Sequence, residues 1–277
     1  MSVTYITGCD SKYFLMTGIL LEAFRKYCSG RALYVCDFGM EQFQRDILLK
    51  SGVLLEKPPI LEDNQHPWIY KSSLATYLNH ASITQDTVVW IDSDCFPVGP
   101  FANEVEKMIC KWGNLDNIVA LCRGKVGKTW QLASPPGNIL HFNMQPHYPY
   151  FNSGMWILRS KTLLEHWADE IKSVPKNGMY EQDTFNYLLN KLSLDVHTLE
   201  NERWNVTHDS LERVAITRSG EMLLNNQQVL LIHITGNYTT LKVSAGPITG
   251  FIRALKKSEL KHFQLQLFKE WVASIHS

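Results

Sequence analysis

The chain of 277 residues carries 27 Lys or Arg against 27 Asp or Glu, so its formal net charge is zero. That balance excludes broad electrostatic capture of nucleic acid, which draws on a net basic surface. Hydrophobic residues make up 45% of the chain, enough for a full core, which excludes intrinsic disorder. No apolar run reaches the roughly 18 residues that a membrane-spanning helix needs.

The opening, Met1 to Thr7, has neither a basic segment nor a long apolar one, so no secretory signal is expected there. Six cysteines stand at positions 9, 28, 36, 95, 110 and 122 without a CxxC pair, and their spacing fits neither a zinc site nor a disulfide framework. Several sit in apolar runs, where a thiol behaves as a small hydrophobe. A reducing, cytoplasmic setting follows as an expectation. The sequons Asn205-Val206-Thr207 and Asn237-Tyr238-Thr239 would then stay unmodified.

In chain order, Val3 to Thr7 predicts a first strand, Gly8 to Ser11 a turn, Phe14 to Tyr27 a helix, and Ala32 to Cys36 a second strand. Helical patterns follow at Glu41 to Leu49 and at Trp68 to Leu78. Val88-Val89-Trp90-Ile91 is a continuous apolar run, as expected of a strand covered on both faces. Ile118 to Cys122 predicts another strand, and Arg123 to Pro149, with Trp130, His141, His147 and Tyr148, a long excursion of functional character. Met155 to Leu158 predicts a strand, Thr162 to Ile171 and Gln182 to Leu192 helices, and Val229 to Ile232 a last buried strand. Apolar residues at 260, 263, 267, 271 and 275 mark an amphipathic helix. Strands alternating with helices give an α/β fold with a mostly parallel central sheet. Ala245-Gly246-Pro247 is the one linker-like passage, which gives a catalytic domain over residues 1–250 and a helical tail over 251–277, packed on that domain.

The most informative segment is Asp92-Ser93-Asp94, where a buried strand ends in two carboxylates. Positions i and i+2 of an extended chain project to one side about 6.6 Å apart. The carboxyl ends of strands form the ligand crevice of open α/β sheets, and two acids placed there suit Mg²⁺ or Mn²⁺ held against phosphates. His233, after Val229 to Ile232 and before Ile234-Thr235-Gly236, is a candidate third ligand, and imidazole with carboxylates suits Mn²⁺. Tyr150-Phe151-Asn152-Ser153-Gly154 reads as a tight turn with an amide available to donate and accept. Glu181-Gln182-Asp183 opens a helix, where capping accounts for acids but polar groups also suit a sugar.

In this order the segments resemble a glycosyltransferase of the GT-A type, closest to family 8, which includes bacterial lipopolysaccharide galactosyl- and glucosyltransferases and glycogenin. The resemblance runs from Thr4 to about Lys242 and rests on Asp92-Ser93-Asp94, Phe151-Asn152-Ser153-Gly154, Glu181-Gln182-Asp183 and His233-Ile234-Thr235-Gly236. Thr7-Gly8-Cys9-Asp10-Ser11-Lys12-Tyr13 resembles the family's opening turn, which holds the nucleotide. The resemblance implies a Rossmann-like nucleotide-sugar-binding domain and a metal-dependent transfer of a sugar from a UDP-sugar, with retention of configuration. It implies Mn²⁺ (or Mg²⁺) on Asp92, Asp94 and His233, and nucleoside contacts from Thr7, Asp10 and Tyr13. Lys71, Ser93, Gly236 and Lys242 would serve the phosphates or sugar, and Asn152, Gln182 and Asp183 the transfer itself. The family's closing motif, H-x-x-G-x-x-K-P-W, places lysine where Thr239 stands; here the first lysine is Lys242. A glycan or lipid-linked acceptor is implied, with peripheral contact at the inner face of a membrane as an open expectation, and no nucleic acid.

Three other readings stand beside it. One is a non-catalytic nucleotide-sugar-binding module. Gly127-Lys128-Thr129 looks like the end of a P-loop, but the first glycine of that motif would fall on Cys122. Asp92-Ser93-Asp94 also has the D-x-D form of haloacid-dehalogenase-type phosphatases, whose nucleophile ends the first strand.

Overall fold

A computed structural model describes residues 2–84, 86–128, 142 and 143, 148–211, 213–234 and 261–276. The first half alternates strand and helix: β1 (Val3–Cys9), α1 (Phe14–Tyr27), β2 (Leu33–Asp37), α2 (Gln42–Lys50), β3 (Leu54–Leu55), α3 (Pro67–Ser72), α4 (Leu74–His80), β4 (Thr87–Ile91), β5 (Cys95–Pro97) and α5 (Phe101–Trp112). There follow β6 (Ile118–Lys128), β7 (Pro149–Arg159), α6 (Lys161–Ser173), α7 (Tyr180–Lys191), β8 (Asp195–Leu199) and α8 (Asn201–Trp204). Then come β9 (Val206–Thr207), α9 (His208–Leu211), β10 (Ala215–Ile216), β11 (Met222–Leu224), β12 (Gln227–Gln228), β13 (Leu231–His233) and α10 (Lys261–His276).

Seven strands form the central sheet in the order β3-β2-β1-β4-β7-β6-β8. All neighbours run parallel except β7, which is antiparallel to both β4 and β6, so the mostly parallel α/β sheet read from the sequence is present. The strand order reverses direction between β1 and β4, and a ligand crevice forms at such a switch point. β1 and β4 pair with Ile6 opposite Trp90, so Asp10 and Asp92, distant in sequence, leave the sheet on one rim.

β4 explains why the sheet sits where it does. All five of its residues are buried; Val89 and Ile91 join the core on one face, Val88 and Trp90 the core on the other. A strand wedged between two helical layers has no polar face to spare, hence its continuous apolar run. Five of the six cysteines are buried, Cys110 is exposed, and all are free thiols.

Several local expectations need correcting. β1 runs on through Gly8 and Cys9, because both stay paired to Cys36 and Asp37 of β2. The helical pattern from Trp68 breaks at Ser73 into α3 and α4. Phe151 to Gly154 is no turn but the interior of β7, whose eleven residues span from Pro149 to Arg159. The excursion after Arg123 begins as strand, since β6 continues to Lys128 opposite Pro149. Gly127 and Lys128 therefore lie in a strand, unlike a phosphate-cradling loop. The last apolar strand belongs to a separate small sheet, β5-β13-β9, and not to the central one. Trp130, His141, His147, Asn237 and the 245–247 linker lie outside the described residues.

No described helix is long and apolar enough to cross a membrane. α10 lies against α1: Leu267 and Trp271 are buried, and Trp271 meets Phe14 edge-on at 5.5 Å. The approach needs a residue without a side chain at Gly18, where an added Cβ would come 2.2 Å from the indole. Gly18→Ala should cost about 1–3 kcal/mol, the usual penalty of overpacking. Urea unfolding followed by tryptophan fluorescence checks this; an unchanged midpoint would show that the indole is not seated there.

Candidate functional site

The carboxyl ends of β1 and β4 open onto a cleft of about 760 Å³, lined among others by Asp10, Tyr13, Phe38, His66, Trp68, Lys71, Asp92 and Asp94. On the β1 side, Asp10 Oδ1 accepts from the backbone N–H groups of Lys12 and Tyr13, both at 3.0 Å, and so shapes the turn into α1. Burial, then the nearby Asp94, Asp10 and Asp92, raises the Tyr13 phenol well above its ordinary pKa, which keeps it a donor. Thr7 is wholly buried beneath this wall, and its hydroxyl has no hydrogen-bond partner among the described residues.

Beneath the cleft lies a buried charge. Lys71, on α3 and 4% exposed, places Nζ 3.0 Å from Asp92 Oδ1, 3.1 Å from Glu181 Oε1 and 2.9 Å from the carbonyl oxygen of Ser153. Its ammonium also lies 5.3 Å from the Trp90 ring, and the Trp90 indole N–H donates to Asp92 Oδ1 at 2.6 Å. Burial by itself lowers the pKa of Lys71; the carboxylates of Asp92 and Glu181 outweigh it and the net direction is up, so the lysine stays charged. Burial pushes the Glu181 carboxyl up, against the pull of Lys71.

On the other side of the Asp92 turn, Asp94 Oδ1 faces His233 Nε2 at 3.4 Å. Hydrogen bonds carry the chain across: Ile234 N–H donates to the Asp94 carbonyl at 2.9 Å, and Asp92 N–H to that of Gly154 at 2.7 Å. The far ring nitrogen, His233 Nδ1, lies 2.7 Å from Asn205 Oδ1. An amide oxygen only accepts, so Nδ1 donates to Asn205, and the ring is held with Nε2 aimed at the carboxylate. A carboxylate and a ring nitrogen held face to face at the edge of a cleft fit a cation, and an imidazole oriented by its second nitrogen is the usual support of a metal-binding histidine. Cys95 Sγ lies in the same cluster, with all three ligand atoms within 4.8 Å. Its thiol, however, is pushed well up by burial and by Asp94 and Asp92, and it donates to the Gly154 carbonyl at 3.7 Å, which suits a packed thiol and not a ligand. Asp92 stands outside this cluster, with one oxygen committed to Lys71 and Trp90. Gly154 is required here: an added Cβ would sit 2.3 Å from His233 Cε1.

The first turn of α7 lies behind Lys71 and is buried throughout, so its acids do more than cap a helix. Glu181 Oε2 accepts from the Ser153 hydroxyl at 3.0 Å in addition to pairing with Lys71. Gln182 Oε1 accepts from Ser153 N–H at 3.0 Å and from Asn152 Nδ2 at 3.3 Å. Asp183 is fully buried and accepts from the Tyr150 hydroxyl at 2.6 Å.

Thus Asp10, Tyr13, Lys71, Asp92, Ser93 and Asp94 share one cleft, His233 joins Asp94, and Asn152 and Gln182 adjoin Lys71 through Ser153. Thr7 and Asp183 lie in the interior, away from the cleft wall. Gly236 and Lys242 lie outside the described residues. Sequence reasoning named Asn205, Tyr150 and Cys95 but gave none of them a role in the site. Asn205 belongs to a sequon read only for its glycan, and nothing in its neighbours points to His233.

By sequence alone, no protein-family model and no curated protein matches the chain. Its structure is similar to solved glycosyltransferases. Against the galactosyltransferase LgtC in complex with donor and acceptor sugar analogs, the TM-score is 0.55 at 13% identity, over 92% of this chain and 95% of that one. A glycosyltransferase involved in glycosylation of the major capsid of PBCV-1 gives 0.55 at 15%, over 92% and 98%. The bifunctional glycosyltransferase WbbM gives 0.55 at 15%, over 97% of this chain and 51% of that one, so the chain spans about half of WbbM. The fold is therefore the glycosyltransferase fold that the motifs implied.

Lys71→Met should destabilise the protein by about 3–5 kcal/mol, because it strands two carboxylates around a buried site. Glu181 already has a raised pKa in the fold, and losing the ammonium raises it further. The protonated acid is tolerated, so the penalty is smallest in acid and grows as pH rises through that pKa. Guanidinium unfolding of both proteins across pH 4–8 measures it; a penalty independent of pH would refute the pairing.

Proposed function

We propose that this chain is a metal-dependent glycosyltransferase that moves a sugar from a UDP-sugar to a hydroxyl of a glycan or lipid-linked acceptor, with retention of configuration. The observation that carries the reading is the Asp94–His233 pair, oriented by Asn205, at the mouth of a cleft between β1 and β4 in a glycosyltransferase fold. Asp94 and His233 would hold Mn²⁺ or Mg²⁺, with Asp92 turned toward it on donor binding. When bound, the cation supplies Lewis-acid support to the charge that develops on the departing diphosphate.

The chain's own residues divide the remaining work. Asp10 and Tyr13, on the β1 wall, receive the nucleoside. Lys71 keeps a fixed positive charge under Asp92, where the phosphates and sugar meet. Gln182 and Asn152 line the sugar side. Retention is favoured by what surrounds them. Asp183 is enclosed and holds Tyr150, and Glu181 is enclosed and holds Lys71, so neither carboxylate has a path to an acceptor hydroxyl. An amide is a poor base, and the acceptor proton would pass to the departing diphosphate oxygen on the same face of the sugar.

We propose the chain up to residue 250 as the transferase domain. The burial of Trp271 against α1 supports a tail packed on that domain over a tail that docks on a membrane.

Asp94→Asn should abolish most of the Mn²⁺-dependent gain in UDP affinity, as a charged oxygen ligand becomes a neutral amide. Calorimetric titration of UDP with and without Mn²⁺ tests it, and unchanged binding in the variant would sink the metal assignment. Donor hydrolysis with UDP-galactose and UDP-glucose separates an enzyme from a binding module. Proton NMR of the first-formed transfer product should show the donor's anomeric coupling retained; an inverted product would overturn the stereochemical reading.

A further inference from the structure

Tyr150 lies at the start of β7 and is 1% exposed, so it is part of no cleft wall and touches no substrate position. Yet its hydroxyl stands in a fully buried polar chain. It donates to Asp183 Oδ1 at 2.6 Å and accepts from Gln182 Nε2 at 3.0 Å.

The directions of these bonds are fixed by chemistry. The backbone N–H of Ser153 can only donate, so the end of the Gln182 amide beside it is the oxygen. The other end is then the NH₂ group, which is enclosed and needs an acceptor. Tyr150 is that acceptor, and it is free to accept because Asp183 takes its proton. Gln182 is thereby clamped at both ends, by β7 backbone on one side and by the phenol on the other. Its carbonyl oxygen is turned toward Asn152 and Ser153, the segment whose Ser153 carbonyl also accepts from Lys71 Nζ and whose Gly154 packs on His233.

We propose that Tyr150 is a positioning residue for sugar transfer, which fixes the plane and polarity of the Gln182 amide through the Asp183–Tyr150–Gln182 chain. The inference rests on the transferase reading and deepens it: Asp183 serves orientation and not proton transfer. An amide free at its Nε2 end rotates and turns its dipole away from the reacting sugar, and small misplacements of such groups are costly to rate.

The test is Tyr150→Phe, which removes one oxygen atom and keeps the ring. With Mn²⁺ and UDP-galactose or UDP-glucose, kcat for donor hydrolysis should fall about tenfold or more, while donor KM and UDP affinity stay within about twofold. In a Gln182→Ala background, adding Tyr150→Phe should cost nothing further, because a residue acting through Gln182 has nothing left to position. The same fold-loss in both backgrounds, or an unchanged kcat in the single variant, would overturn the proposal. A separate readout needs no turnover. The Gln182 side-chain amide signal in a ¹⁵N spectrum, identified by its loss in Gln182→Ala, should be protected from solvent exchange and should lose that protection in Tyr150→Phe. Retained protection would refute the positioning role. Protection that behaves as expected in a protein inactive on every donor would leave the clamp standing and count against the transferase reading instead.

Discussion

One buried ammonium organises this site. Lys71 comes from α3, Asp92 from the end of β4, Ser153 from β7 and Glu181 from α7, and all four meet at a single nitrogen. A charge removed from water is tolerated only when paired and hydrogen-bonded, so these four elements are held in a fixed mutual arrangement. The constraint works in both directions: Glu181 needs the lysine as much as the lysine needs its two acids. Breaking the group strands a charge, which is why the cleft floor is rigid although the wall above it is open.

That rigid floor sets up a more exposed pair beside it. Asp92 is anchored by Lys71 and by the Trp90 indole, and the two residues that follow carry the chain to Asp94 at the cleft edge. His233 arrives from a different sheet, and the main-chain bond from Ile234 to Asp94 sets its distance. Asn205 then fixes which ring nitrogen is free. The bareness of Gly154 allows the imidazole to lie on β7 at all. The geometry of the Asp94–His233 pair depends on packing at least as much as on the two residues themselves.

The similarity to solved glycosyltransferases at 13–15% identity fits this picture. A doubly covered sheet tolerates wide exchange among apolar residues, because volume and pattern matter more than identity. Sequence comparison loses the apolar majority; the backbone keeps the geometry.

The sequence by itself determined the α/β class, the strand that ends in Asp92-Ser93-Asp94, and the helices α1, α2 and α6, because these depend on local periodicity and on apolar runs. It also marked Glu181-Gln182-Asp183 and His233, since unusual polar groups beside buried strands stand out. It misread Phe151 to Gly154 as a turn, because Asn, Ser and Gly favour turns locally, whereas pairing with β4 and β6 extends β7 straight through them. Only the tertiary structure decided that Glu181 neutralises Lys71, that Asn205 orients His233 and that Asp183 faces inward to Tyr150. Each of these pairs lies 28 or more residues apart. Their partners are chosen by which strand order and helix packing bring together, and no local spacing encodes that choice.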